Sequence, residues 1–263
     1  DGQLRLPVLA STGCKHNCLH CLVPKISGGV THLRRPFALV KEMRSALLDL
    51  GERRFELIAD NLTPPDLWWE ELVEEMARAG LKTASFSFRS CDCTFSEQTI
   101  QKLKTAGCDM VFLVLPLNAE RAASEFGYGP DRDADCRSRA IRLLHAAGIF
   151  TCLCFVAGLF PDDEDMVSAV KFARKSGANA IEFLDARMTS GSRSIDLLKR
   201  RRFGEGEVKR MGSMDRGDVV VSDILGAMRK FWLRPAPLLE MSKKFGPRAL
   251  PRIAKMLLRP RYL

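Results

Sequence analysis

Apolar and polar positions along the chain fall into one unit written five times: an amphipathic stretch, a glycine, then a short apolar run. The junctions read DLGERRFELIA, RAGLKTASFSF, TAGCDMVFLVL, AAGIFTCLCFV and KSGANAIEFL, with Gly51, Gly80, Gly107, Gly148 and Gly177 at the turn. The residue just past a helix often takes a left-handed backbone, which glycine adopts without a Cβ clash. The runs that follow are apolar and partly β-branched, and they predict buried strands. With LRLPVLA as the first, six strands alternate with helices, the pattern of βαβ units and a parallel sheet. Helix starts agree with this register. Thr63 before Pro64 and Pro65 predicts the start of DLWWEELVEEMARA, and Thr94 with Glu97 predicts a capping box for EQTIQKLKTA. The acidic run at 162–165 reads as a first helical turn favoured by the helix dipole, and not as a metal site. Six strands fit either an open doubly wound sheet or a partial β/α barrel.

The chain has 263 residues, 46% of them hydrophobic, enough for one large α/β domain with an appended segment. No apolar stretch reaches the ~18–20 residues that cross a bilayer, and residues 1–9 have no signal-peptide character. Nine cysteines without a small disulfide framework suit a reducing compartment, so the expectation is a cytoplasmic protein with thiols that pack or bind metal. The net charge of +9 is local. Residues 229–263 hold ten Lys or Arg and one acid, Glu240, while residues 1–228 balance at 31 against 31. A neutral body argues against a nucleic-acid groove, and the basic end predicts one electrostatic contact, with an acidic partner or a membrane surface. The apolar repeats end near residue 190, which divides the chain into a β/α body, 1–190, and a basic connector with a helical extension, 191–263. In that extension Arg252, Lys255 and Arg259 fall on one side of a short helix, opposite Ile253 and Leu257.

Directly after the first strand comes GCKHNCLHC, with Cys14, Cys18 and Cys21 at C-x-x-x-C-x-x-C spacing. A loop at the carboxyl end of strand one is where both candidate architectures carry their active sites. Three thiolates can hold three irons of a 4Fe–4S cluster and leave the fourth iron open to a small molecule. The same loop contains His16 and His20, so a Cys3His zinc site also fits the residues. No glycine-rich nucleotide loop follows. Cys152 and Cys154 alternate along a strand and read as packed thiols, whereas Cys91 and Cys93, just past strand three, are a weak candidate for contact with substrate or a second metal.

The cysteine loop, with LIADN at strand two, FSFRSCD at strand three and FVAGLFPDDEDM at strand five, resembles the radical S-adenosylmethionine (SAM) enzymes over about residues 5–190. The resemblance implies a six-stranded partial (β/α)6 barrel, a 4Fe–4S cluster on Cys14, Cys18 and Cys21, and reductive cleavage of SAM to methionine and a 5′-deoxyadenosyl radical. It also implies an electron donor such as flavodoxin or ferredoxin and a small-molecule or peptide substrate to be methylated or rearranged. Matched residue by residue, His20 stands beside the adenine in place of the family's usual aromatic residue. Asp60 and Asn61 lie near the methionine end of SAM, Arg89 pairs with its carboxylate, and Gly158 and Leu159 let backbone approach the adenine. Strand four departs from the pattern, with Pro116 where many relatives carry a Gly and a Glu that help hold SAM. Glu182, Asp185 and Arg187 near strand six are candidate substrate-facing groups by position.

Within the family, TSGS after strand six and KFWLRP near the carboxyl end resemble the cobalamin-dependent branch. Those relatives carry a cobalamin domain before strand one and none precedes Asp1. The expectation is therefore a fragment, or a member without cobalamin, with cobalamin kept as a candidate cofactor. CLHCLVPKISGGVTHLRRP also resembles the tRNA methylthiotransferases, which is the second enzyme reading. A non-catalytic, metal-stabilised binding module with a basic tail is the reading from another class.

Overall fold

The computed structural model describes residues 5–16, 18, 21–117, 124, 134–157, 166–185, 226–247, 250, 251 and 254. Eight strands form along them. A six-stranded sheet runs β1 (Leu6–Leu9), β4 (Arg54–Ile58), β5 (Ser85–Ser90), β6 (Cys108–Pro116), β7 (Phe150–Ala157) and β8 (Ala180–Asp185), so spatial order follows chain order. A doubly wound sheet would reverse direction at a switch point. The monotonic order is that of a partial barrel. A separate two-stranded ladder pairs β2 (Ser11–Thr12) with β3 (His32–Leu33).

The chain divides into two compact units. The first comprises residues 1–17, 23–114 and 129–152. In it β1 pairs with β4, β4 with β5, and β5 with β6, all in parallel. Helices α1 (Val23–Ser27), α2 (Pro36–Leu50), α3 (Asp66–Arg78), α4 (Glu97–Thr105) and α5 (Ala134–Ala146) return the chain between strands. Helix α3 packs against both α2 and α4. Its Trp69 is almost fully buried, stacked on Phe86 and tilted against Phe88 of β5, with Trp68 edge-on at 4.9 Å. The Trp68 indole N–H is satisfied by the Arg34 carbonyl at 2.8 Å.

All five helix-ending glycines have positive φ, between 68° and 88°. Gly107 is the most constrained, since a Cβ there would lie 2.4 Å from the Ala84 carbonyl oxygen. That contact seats β6 beside β5. One predicted start is corrected. The N-cap of α4 is Ser96, whose hydroxyl accepts from the Thr99 amide at 3.0 Å, while Thr94 turns its own N–H and hydroxyl to Asp92.

The second unit comprises residues 18–22, 115–128 and 153–263. Phe155 of β7 and Phe183 of β8 meet at 5.7 Å, and α6 (Met166–Ser176) turns Met166, Ala169, Val170 and Ala173 inward. Helix α7 (226–232) buries Ala227, Met228, Phe231 and Trp232, and the Arg174 guanidinium donates to the Lys230 carbonyl. The basic segment that begins at Arg229 therefore starts inside a packed helix, and α8 (Pro235–Phe245) follows it. Phe231 is fully buried. Phe231→Ala is expected to cost ~3–5 kcal/mol of folding free energy, to be read from denaturant melts. Residues 191–225 and the helix face carrying Arg252, Lys255 and Arg259 lie outside the described residues. Among the described residues no helix is long and apolar enough to cross a membrane.

Candidate functional site

The first strand delivers the cysteine loop through a closed neck. Past Leu9 the ladder with β4 continues for one more bond, from the Ala10 amide to the Ile58 carbonyl at 2.8 Å. Ser11 and Thr12 then pair with Leu33 and His32, so residues 13–31 leave and return through the β2–β3 ladder. The Arg34 amide closes it on the Ala10 carbonyl at 2.9 Å, and the Arg34 side chain holds the Leu9 carbonyl and Glu42, each at 2.8 Å.

Gly13 is the first residue inside the neck. Its φ is 78°, and a Cβ built there would lie 2.1 Å from the Val30 carbonyl oxygen and 2.9 Å from the Ser27 Cβ. The outgoing and returning chains thus touch backbone to backbone, which only glycine permits. The Gly13 amide donates to Asp60 Oδ2 at 2.7 Å. Cys14 follows and is buried; Cys18 and Cys21 are half-buried, and the Cys21 amide turns back to the Cys18 carbonyl at 3.1 Å. All nine cysteines are present as thiols.

His16 lies in the same loop with Nε2 buried and no hydrogen-bond partner among the described residues. Burial lowers its pKa below the ordinary histidine value; the Asp92 carboxylate opposes this shift and Lys15 adds to it. The imidazole is therefore neutral near pH 7, with a nitrogen that can accept from a ligand or bind a metal.

The two polar residues beyond β4 point to different loops. Asp60 reaches back to Gly13. Asn61 is 2% exposed, and its Oδ1 accepts from the Cys91 amide at 2.8 Å, just past β5. The Leu62 amide donates to the Arg89 carbonyl at 3.2 Å, tying the loop after β4 to the end of β5 as well. Both residues expected near SAM thus make intramolecular bonds that join the loops after β1, β4 and β5. Arg89, half-buried in β5, lays its guanidinium 4.5 Å over the Phe112 ring.

Beside the cysteine loop a cleft of about 340 Å³ opens at the amino ends of α3 and α4, lined among others by Lys15, Leu62, Asp66, Asp92, Phe95 and Thr99. Asp66 and Thr99 bridge the two helices at 2.6 Å. Cys93 is buried, its carbonyl accepts from the Cys136 thiol at 3.7 Å, and both residues line a cleft of about 300 Å³ with Phe95 and Arg139. Every position of β7 is buried, Cys152 and Cys154 included, and Cys154 Sγ lies 3.3 Å from Glu182 Oε2. His20, Gly158, Leu159 and Arg187 lie outside the described residues, as does the side chain of Asp185. Gly13 and Asp92 were not singled out as site residues from the sequence, whereas His16 entered there as a candidate zinc ligand. Gly13 carried a signal nonetheless, because it directly precedes the first cysteine and ends no helix.

No family model matches the chain. Among curated proteins it is 25% identical over 190 residues to the bacteriochlorophyllide d C-8(2)-methyltransferase of Chlorobaculum tepidum, covering 67% of this chain and 40% of that protein. The C-12(1)-methyltransferase of the same organism is 32% identical over 79 residues, 29% of this chain and 17% of that protein. The chain thus spans well under half the length of these curated relatives. Among solved structures it resembles TsrM from Kitasatospora setae, a radical S-adenosylmethionine methyltransferase, solved with tryptophan substrate and a SAM analogue. The TM-score is 0.64 at 18% identity, over 88% of this chain and 52% of that one. A second TsrM structure, with cobalamin and a [4Fe-4S] cluster bound, gives 0.59 at 20% identity, over 68% of this chain and 36% of that one. The FeFe-hydrogenase maturase HydG from Carboxydothermus hydrogenoformans gives 0.58 at 15% identity, over 86% and 51%. The chain has the radical SAM fold.

Proposed function

We propose that this chain, with its radical SAM fold, is the catalytic part of a radical SAM methyltransferase. The observation that carries the reading is the C-x-x-x-C-x-x-C loop directly after the first strand of that fold. Cys14, Cys18 and Cys21 would hold a 4Fe–4S cluster as thiolates, leaving one iron for the amino and carboxylate groups of SAM. When bound, the cluster supplies the electron that cleaves SAM to methionine and a 5′-deoxyadenosyl radical. The donor set fits this group. Cys14 is buried at the mouth of a constrained loop, with Cys18 and Cys21 half-buried further along it.

The remaining residues bind and shield. Arg89, whose guanidinium lies over the Phe112 ring, would offer a planar fork to the SAM carboxylate. By the family resemblance, His20 would stack on the adenine, and Gly158 and Leu159 would let the backbone approach it. The substrate is a small molecule, a reading supported by the three methyltransferases the chain resembles. The electron comes from a flavodoxin- or ferredoxin-class donor in a reducing, cytoplasmic compartment. Cobalamin, bound in one TsrM structure, is the candidate methyl carrier. The tRNA methylthiotransferase and binding-module readings gain nothing from these likenesses.

Anaerobic reconstitution with iron and sulfide, followed by SAM and a reductant, tests the proposal by the appearance of 5′-deoxyadenosine. The unsatisfied His16 nitrogen favours a second reading, a Cys3His zinc site. Stoichiometric zinc without iron or sulfide in anaerobically purified protein would establish that site and sink the enzyme. Arg89→Ala is expected to weaken SAM binding roughly 30-fold, the effect of ~2 kcal/mol for a truncated charge contact. Unchanged affinity in calorimetric titration would remove Arg89 from the site.

A further inference from the structure

The geometry points to Asp60 as a positioning residue of the cysteine loop: its carboxylate fixes the Gly13 peptide and thereby the entry of Cys14 into the metal site. The inference deepens the cluster reading and rests on it for its catalytic consequence, but the bond itself belongs to the protein alone. Three observations converge on one peptide. The Gly13 amide lies 2.7 Å from Asp60 Oδ2. The Gly13 Cα is pressed against the Val30 carbonyl so closely that no Cβ fits. The residue before Gly13, Thr12, is held in the β2–β3 ladder opposite His32.

Gly13 can otherwise rotate more freely than any other residue type, because its left-handed backbone carries no side-chain restriction. Without an acceptor for its N–H, the 12–13 peptide could turn and carry Cys14 with it. Asp60 removes that freedom from outside the loop. It stands two residues beyond the last residue of β4, whose carbonyl already receives the Ala10 amide. The next residue, Asn61, is buried and holds the Cys91 amide, so the segment that presents Asp60 is itself anchored to the loop after β5. Displacing a metal ligand by a fraction of an ångström is enough to loosen a site held by three thiolates. Asp60 thus acts through Gly13, and contact with SAM is not required of it.

The test compares the full chain with Asp60→Asn, which keeps an acceptor oxygen of the same reach, and Asp60→Ala, which removes it. In metal-free protein, hydrogen exchange of the Gly13 amide is expected to rise about ten- to a hundredfold in Asp60→Ala and to stay near wild type in Asp60→Asn. After anaerobic reconstitution, Asp60→Ala should lose iron to a chelator several-fold faster than wild type, with a broadened paramagnetic signal from the reduced cluster. Asp60→Asn should match wild type in both. Exchange and iron loss unchanged in Asp60→Ala would overturn the inference. So would an Asp60→Asn protein with normal Gly13 exchange and cluster retention but SAM affinity tenfold weaker, because Asp60 would then be a ligand of SAM. If the wild-type chain binds zinc and no iron, the enzyme reading fails while the exchange comparison, with zinc release in place of iron release, still decides what Asp60 does.

Discussion

Replacing Cys14, Cys18 or Cys21 singly by alanine is expected to abolish the brown iron–sulfur chromophore and SAM cleavage together, while Cys152→Ala keeps both. Each of the three would hold one iron, and a cluster left with two protein ligands has two exposed irons open to solvent and chelators. Cys152 is equally a thiol, but it sits on a strand whose eight positions are all buried. Its loss removes only a small apolar volume, at a cost of about 1 kcal/mol. Iron and sulfide content per chain, measured beside the absorption spectrum, checks the set. A Cys14→Ala protein with full iron and intact SAM cleavage would move the cluster elsewhere.

The sheet was legible because its information is local. Each of the five helices α2 to α6 ends at a glycine with a left-handed backbone followed by an apolar run, and neither signal depends on distant residues. The start of α4 shows where local information competes with itself. Thr94 and Ser96 both suit a cap, and Asp92 draws the Thr94 hydroxyl at 2.6 Å, leaving Ser96 to serve the helix. The β2–β3 ladder has two residues on each side, too few for any periodicity.

For the site, the family resemblance marked Asp60 and Asn61 at the end of strand two. Their partners lie 47 and 30 residues away, at Gly13 and Cys91, and no sequence pattern encodes such pairings. The basic end starts within a helix in which Phe231 and Trp232 are buried while the neighbouring Arg229 and Lys230 are exposed, as long cationic chains commonly are.

Gly13→Ala is expected to be far more damaging than Gly28→Ala, although both glycines lie in the cysteine loop with positive φ, 78° and 64°. Backbone strain is common to the two, about 1–2 kcal/mol for a side chain in the left-handed region. Surroundings separate them. A Cβ at Gly28 meets nothing within 4 Å, whereas at Gly13 it would lie 2.1 Å from the Val30 carbonyl oxygen. Ordinary contact begins near 3.4 Å, so the returning strand would have to retreat by more than an ångström at the neck of the loop. Overpacking of this kind adds ~1–3 kcal/mol, and here the yielding group is backbone tied into the β2–β3 closure. The retreat also pulls the Gly13 amide from Asp60 and shifts Cys14. Gly13→Ala should therefore lower the melting temperature and lose most of its iron on reconstitution, while Gly28→Ala melts slightly early and keeps its iron. Equal iron retention by the two variants would mean that the neck does not set the ligand geometry.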